Sequence, residues 1–392
     1  MAEASKLSAL LAAAEAAAPM VMRTYKFRLL PRKGQHQKLK LALDQTRDLY
    51  NAALEERIGA FRKCGETRSY IVQCGGLTEL RTDPAFTQFA VAMQRWPLKK
   101  LDLAFRAFFS RVKHGEKPGF PRFRGKDRFK SFGFTDRDGW SVEGRRLRIN
   151  GIGRVAMHLH RPLPSAPIAC QIKQDSKGWV ALLACQVPVE PIESVGHSVG
   201  LDLGITSFVA MSDGETIPGF RAGHRAQTEM RRRQRALARC KRGSRNRRKA
   251  KARLASLHAH VGNARRTFQH QLAARIVREN DLIAIEDLNV KGLARSIRAR
   301  DVHDAGWTSF TQLLAEKAEK AARTLVRVDR RFTSQTCPDC GTVKPKDLSE
   351  RVHRCECGLT LDRDVAAAKV ILMRAVASPL SHNVGGCAVR AA

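Results

Sequence analysis

Negative charge is what this chain lacks most. Against 71 Lys and Arg it carries 37 Asp and Glu, for a net charge of +34 and an isoelectric point near 10.6. A fold so charged repels itself unless a polyanion neutralises it, so the deficit points to nucleic acid as the partner. Long apolar runs are missing as well: none approaches the roughly 20 residues a membrane-spanning helix needs, which argues against a membrane partner. A secretory framework is also absent. Residues 1–19 are alanine-rich, with Lys6 ahead of Leu7 to Ala14, and faintly resemble a signal peptide, but Glu15 interrupts the run. The segment reads as a weak helix or an upstream start, with Met20 or Met22 as the alternative initiator. At 392 residues and 43% hydrophobic, the chain has room for two or three domains with real cores.

The charge deficit is sharpest between Arg231 and Arg253, where thirteen of twenty-three residues are Lys or Arg and none is acidic. A charged run is often just a solvated helix face. Thirteen uncompensated like charges need counterions, however, and phosphates meet that need, so Arg231, Arg232, Arg233, Arg235, Arg245, Arg247, Arg248 and Lys249 are expected to bind a nucleic-acid backbone. Leu254, Leu257, Val261, Phe268, Leu272 and Ile276 follow at helical spacing and predict a long helix.

Among the few acids, three stand in settings that suit metal-dependent phosphodiester chemistry, which needs carboxylates converging from distant segments. In Ser198-Val199-Gly200-Leu201-Asp202-Leu203-Gly204 a period of two puts Leu201 and Leu203 on one face of a strand and Asp202 on the other, between two glycines that would leave room for a metal and a phosphate. In Leu282-Ile283-Ala284-Ile285-Glu286-Asp287 the same parity sends Ile283 and Ile285 to a core and Glu286 to the opposite face, which favours Glu286 over Asp287. Asp364 opens an alanine-rich helical run, Val365 to Met373, where the helix N-terminus favours negative charge. Asp362 reads as a cap or supporting group. Each acid alone could be a turn residue, a strand end or a helix-dipole partner; their joint occurrence in this order predicts a nuclease centre.

Of ten cysteines, four form Cys337-Pro-Asp-Cys340-Gly and Cys355-Glu-Cys357-Gly. Two such pairs about fifteen residues apart can set four thiolates tetrahedrally around one zinc ion. The second pair is Cys-x-Cys, a tightened turn, so His353 is a conceivable substitute ligand, and a disulfide or redox pair is the competing reading. Cys64, Cys74, Cys170, Cys185, Cys240 and Cys387 follow no pattern.

The remaining organisation is coarse. Arg23 to Leu29 alternates basic with apolar as a strand, ended by Pro31. Residues 33–113 read as helical, with one stripe of Leu39, Leu43, Thr46, Tyr50 and Leu54 and a later segment packed by Trp96, Leu103, Phe105, Phe108 and Phe109. From Pro118 to about Pro191 short segments such as Gly119-Phe120-Pro121-Arg122-Phe123 and Lys130-Ser131-Phe132-Gly133-Phe134 predict a β-barrel-like module. Strands follow near 198–204, 206–212 and 215–220, then a long helical stretch, a strand at 282–286, a helix near 309–323, a strand at 324–329, the cysteine module and a last helix. That order predicts an RNase H-like domain within an α/β multidomain chain.

The motifs GLDLGITSF, NARRTFQHQLAARIVREN, LIAIEDLNVKGL, TSQTCPDCG and CGLTLDRDVAAAK together resemble the TnpB (OrfB) proteins of bacterial insertion sequences, relatives of the type V CRISPR effectors, from Tyr25 to Leu372. The resemblance implies a β-barrel-like wedge domain at 20–32 and 118–195 interrupted by a helical recognition domain at 33–117. A RuvC nuclease domain would follow at 196–333 and 359–376, with a zinc ribbon at 334–358. Residues 1–19 would be a disordered extension and 377–392 a disordered tail. It further implies RNA-guided cleavage of double-stranded DNA beside a short flanking motif, by a cytoplasmic, nucleoid-associated monomer on one guide RNA transcribed from the transposon end. Asp202, Glu286 and Asp364 fall on the family's RuvC acids, which would hold two magnesium ions, and Cys337, Cys340, Cys355 and Cys357 on its ligands for one structural zinc.

Two departures bear on activity. The family has Asn where this chain has Ala366, and commonly again where it has Val370. Two other functions stay open: an RNA-guided DNA-binding repressor with weak or no nuclease activity, for which a lost acid is expected, and a DNA transposase or its accessory protein acting without RNA.

Overall fold

The computed structural model describes residues 19–126, 128–293, 299–347 and 350–377. The readings of residues 1–18 and of 378–392, Cys387 included, lie outside them. The described chain divides into two compact units at 187/188.

The first unit begins with strand β1 (Met20–Leu30), followed by helices α1 (Lys33–Cys64), α2 (Tyr70–Leu80), α3 (Pro84–Thr87) and α4 (Val91–Lys113). Strands β2 (Ser131–Gly133), β3 (Trp140–Glu143), β4 (Arg146–Ile149), β5 (Gly153–His158), β6 (Ala169–Asp175) and β7 (Gly178–Pro188) complete it. The alternation in β1 has its expected effect: Phe27 and Leu29 are buried while Lys26 points outward. Pro31 ends the strand, and α1 begins where the Arg32 backbone N–H donates to Gln35 Oε1 at 3.0 Å. It stops at Gly65, whose φ of 68° is the left-handed conformation glycine adopts without strain. All five residues of its expected stripe are buried.

The strands form a seven-stranded sheet in the order β2-β6-β7-β1-β5-β4-β3. The expected barrel is in these pairings a sheet whose ends, β2 and β3, are not hydrogen-bonded to each other. Two details differ from the sequence reading. Residues 119–123 form no strand, because Pro121 cannot donate to a ladder, and Phe120 and Phe123 are exposed. The buried residues of α4 are Ala92, Met93, Gln94, Pro97, Leu98, Leu101 and Asp102, while Phe105, Phe108, Phe109 and Phe120 contact one another along its less buried C-terminal half.

The second unit contains strands β8 (Ser198–Asp202), β9 (Ser207–Met211) and β10 (Thr216–Pro218), then helices α5 (Ala222–Arg225), α6 (Gln227–Arg239) and α7 (Arg245–Glu279). Next come β11 (Leu282–Glu286), α8 (Val290–Leu293), α9 (Ala299–Ala305), α10 (Trp307–Lys320) and β12 (Thr324–Val328). Strands β13 (Val352–Arg354) and β14 (Thr360–Asp362) precede the last helix, α11 (Arg363–Ala377). The strand and helix positions read from sequence agree with these to within a few residues.

Its five-stranded sheet has the order β10-β9-β8-β11-β12. The hairpin strands β8, β9 and β10 are antiparallel, and β11 lies parallel between β8 and β12. Both faces of the parallel part are covered, as such strands require. On one face Val199, Leu201, Ile283 and Ile285 meet Leu272 and Ile276 of α7 and Phe310 and Leu314 of α10. On the other, Ala284 and Val328 meet Ile371 and Ala375 of α11.

The segment 189–195, read from sequence as the end of the wedge, hydrogen-bonds within the second unit. Glu190 N–H donates to Lys320 O at 2.9 Å, and the Asp281 carboxylate accepts from the backbone N–H groups of Val195 at 3.1 Å and Gly196 at 2.8 Å and from Ser194 Oγ at 2.5 Å. Those donors, with the Arg323 guanidinium, hold Asp281 down at a pKa of about 2. No described helix is long and apolar enough to cross a membrane.

Candidate functional site

The three acids approach one another at one end of the five-stranded sheet. Asp202 is the last residue of β8, Glu286 the last of the adjacent parallel β11, and Asp364 sits in the first turn of α11. Small residues bring α11 there. A Cβ added to Gly200 would stand 2.0 Å from Ala368 O and 2.9 Å from Leu372, so only glycine lets the helix lie on the strand at this point. This corrects one expectation: the room beside Gly200 is filled by α11, leaving none for a metal or phosphate. Gly204 does border the acids, for a Cβ there would lie 3.8 Å from Asp364 Oδ2.

The electrostatics follow from the convergence. Burial pushes the Asp202 carboxyl well above its ordinary range, and the charges of Glu286 and Asp364 push it further. Glu286 is buried at the end of β11, and Asp287, just past the strand, is exposed although parity alone would put it on the face of Ile283 and Ile285. Burial raises Glu286, opposed by the Thr333 hydroxyl, which donates to its Oε1, and by the charges of Arg374 and Arg330. Two of these acids therefore sit where a nearby cation would relieve a standing penalty on their ionised forms. The Arg363 guanidinium reaches Asp364 Oδ1 at 3.3 Å. Asp362 accepts from the backbone N–H groups of Asp364 at 2.9 Å and Val365 at 3.1 Å, which makes it the cap of α11. Ala366 and Val370 are both buried.

Sequence reasoning missed Thr333 as the partner of Glu286. Its signal lay in TSQTCPDCG, where the cysteines drew the reading; nothing local connects a threonine at 333 to a strand end 47 residues earlier.

The four cysteines come together as their spacing predicts. Their sulfurs all lie within 4.8 Å of one another, with Cys337 Sγ to Cys357 Sγ at 3.7 Å and Cys340 Sγ to Cys355 Sγ at 3.5 Å. Thiolates about 2.3 Å from a tetrahedral zinc stand about 3.8 Å apart, so the donor set fits that ion. The thiols share their protons: hydrogen bonds with Thr342 and the neighbouring thiols lower Cys340 to a pKa of about 6, while bonds to the other thiols push Cys357 up to about 12. His353 is outside the cluster: buried in β13, it turns Nδ1 to Lys346 Nζ.

The basic stretch is a helical hairpin of α6 and α7 joined by residues 240–244. Arg231, Arg232, Arg235, Arg245, Arg248 and Lys249 are exposed. Arg247 instead donates to Leu237 O at 3.0 Å and Cys240 O at 3.1 Å, satisfying carbonyls at the end of α6. Arg233 donates to Arg253 O at 2.7 Å and pairs with Glu229, tying the two helices together.

Three family models match the chain: "Probable transposase" over residues 182–296, "Cas12f1-like, TNB domain" over 307–371, and "Helix-turn-helix domain" over 20–66. The last covers one strand and one long helix in this structure. A Streptomyces pristinaespiralis protein named "Putative RNA-guided DNA endonuclease" is 33% identical over 371 residues, which are 91% of this chain and 90% of the relative. The Escherichia coli K12 protein InsQ, of the same description, is 26% identical over 380 residues, 90% of this chain and 92% of the relative. Among solved structures, the cryo-EM structure titled as the Cas12f1-sgRNA-target DNA complex contains a chain that superposes with a TM-score of 0.59 at 15% identity, covering 87% of this chain and 83% of that one. At that identity the superposition speaks to fold.

Proposed function

This chain belongs to the TnpB (OrfB) family, and from that premise we propose that it is an RNA-guided DNA endonuclease of an insertion sequence. The observation that carries the reading is the approach of Asp202, Glu286 and Asp364 from β8, β11 and α11 to one end of one sheet. In this reading the second unit is a RuvC-type, RNase H-like nuclease with a zinc-ribbon insert, and the first provides the wedge and helical recognition domains.

The three carboxylates would hold two magnesium ions, which when bound activate a water and stabilise the departing oxygen of the phosphodiester. The chain's own contribution is placement. Parallel pairing fixes Asp202 beside Glu286, the Thr333 hydroxyl orients Glu286, and the Asp362 cap fixes the turn from which Asp364 projects. Cys337, Cys340, Cys355 and Cys357 would hold one zinc, tying β13 and β14 to the segment that carries Thr333.

Pairing between guide RNA and target strand supplies sequence discrimination, so the protein needs charge along a backbone more than base-edge contacts everywhere. The exposed arginines and Lys249 of the α6–α7 hairpin suit that task, with Arg233 and Arg247 holding the hairpin itself. The flanking motif would be read as duplex by the first unit, and one monomer would act with one guide RNA and its target DNA.

The test is replacement of each acid by alanine. Asp202→Ala, Glu286→Ala and Asp364→Ala should each abolish cleavage of target DNA while leaving guide and target binding within a few-fold of the parent. Full cleavage by any of the three would remove that residue from the centre.

A further inference from the structure

A cavity of about 150 Å³ opens beside the acids and has no part in the chemistry described above. Gly204 lines it, and the same glycine borders Asp364, so cavity and acids share a wall. Phe208, Phe220 and Phe268 form its apolar side. They hold one another in place, with ring centroids of Phe208 and Phe268 5.3 Å apart and those of Phe220 and Phe268 5.6 Å apart. A cavity of about this size accommodates one small aromatic ring.

Its polar side holds two unusual arginines. Arg265 lines the cavity and pairs with the buried Asp304; its Nε is buried with no hydrogen-bond partner, behind the wall rather than on it. Arg221 is exposed and adopts φ 43° and ψ 41°, a left-handed conformation that disfavours a residue with a Cβ. Glycine would serve the backbone better there, so an arginine at that turn points to use of its side chain. Asp304 itself is committed, accepting from the backbone N–H groups of Gly223 and His224 as well as from Arg265.

We propose that this cavity receives the base of the single-stranded DNA nucleotide next to the scissile phosphate, with the rings of Phe208, Phe220 and Phe268 walling the base and Arg221 at the rim pairing with the adjoining phosphate. The proposal rests on the nuclease reading of the neighbouring acids. Holding one base would fix the strand over the acids and make cutting sensitive to whether a base is present at that position. The apolar ring wall accepts any base face, so the cavity distinguishes the presence of a base from its absence rather than one base from another.

The experiment uses the full chain with its guide RNA and target DNAs that carry one abasic nucleotide at successive positions around the mapped cut. Wild type should cut one such target about tenfold more slowly than the intact DNA, the others at near-parent rates. Ala305→Phe, which fills the cavity, and Arg221→Gly, which relieves the backbone while removing the guanidinium, should both slow cutting of intact DNA and lose the distinction. Because Arg221→Gly suits its turn, its defect cannot be assigned to misfolding. In parallel, 2-aminopurine at the flanking position should change its fluorescence in the uncut complex held in chelator, and should not in Ala305→Phe. Equal cutting of every abasic target with unchanged fluorescence overturns the proposal and leaves the nuclease reading standing. A fluorescence change with no cutting in magnesium supports the cavity and sinks the nuclease reading.

Discussion

Asp362 and Asp364 lie two residues apart and do different work, and their variants should separate accordingly. Asp364→Ala is expected to remove cleavage at near-parent thermal stability. Asp362→Ala removes the cap of α11 and should cost about 1 kcal/mol of stability while retaining measurable cleavage, read by denaturant melts and initial rates. Gly200→Ala provides a steric counterpart. Its new Cβ would stand 2.0 Å from Ala368 O, so the variant should lose about 1–3 kcal/mol or more and cleave poorly through displacement of α11. An undiminished melting temperature would contradict the packing described here. At this scale the sequence was legible where a side chain's face follows from strand parity: Ile283 and Ile285 in one core, Ala284 and with it Glu286 on the opposite face. It was not legible where the role depends on a distant segment. Gly200 reads as space for a ligand because nothing in its neighbourhood announces that Ala368 arrives 168 residues later, and the Thr333–Glu286 contact is hidden for the same reason.

Elements with a strong periodic signal were equally readable. The stripe of α1, the parity of β8 and β11 and the paired cysteines all follow from local spacing. The phenylalanines of α4 misled because apolarity alone does not say which half of a helix is covered; the buried half is the one around Leu98 and Leu101. The four-cysteine cluster makes a direct prediction: metal analysis should find about one zinc per chain, and Cys340→Ser should lower both zinc content and stability, since binding energy at such a site is folding energy. A metal-free protein of unchanged stability would remove the ribbon. The 194–196 segment makes a pH prediction. Asp281 has a folded-state pKa of about 2, below its ordinary value near 3.8, so its stabilisation is fully present above that ordinary value and is lost as pH falls toward 2. The gap in melting temperature between wild type and Asp281→Asn should therefore be constant near neutrality and shrink between about pH 4 and pH 2. A gap independent of pH would mean the clamp does not hold that segment.

For the molecule as a whole, the governing quantity is a net charge of +34. Composition alone points to a polyanionic partner, and the motifs made the family legible. Which arginines face the partner was not, because Arg233 and Arg247 look like their neighbours in sequence and differ only in having backbone carbonyls within reach. Neutralising Arg231, Arg232, Arg235, Arg245, Arg248 and Lys249 together should weaken all guide–target pairs about equally and flatten the dependence of affinity on salt, since fewer counterions are released. A loss confined to one target sequence would instead make the hairpin a sequence reader. The central claim, guidance by RNA, has one direct test. Purified protein should carry a defined RNA, and in magnesium it should cut a plasmid matching that RNA's guide segment beside the flanking motif, while a plasmid with that match scrambled stays intact. Cutting that ignores the match, or that persists after the RNA is removed, would contradict the account.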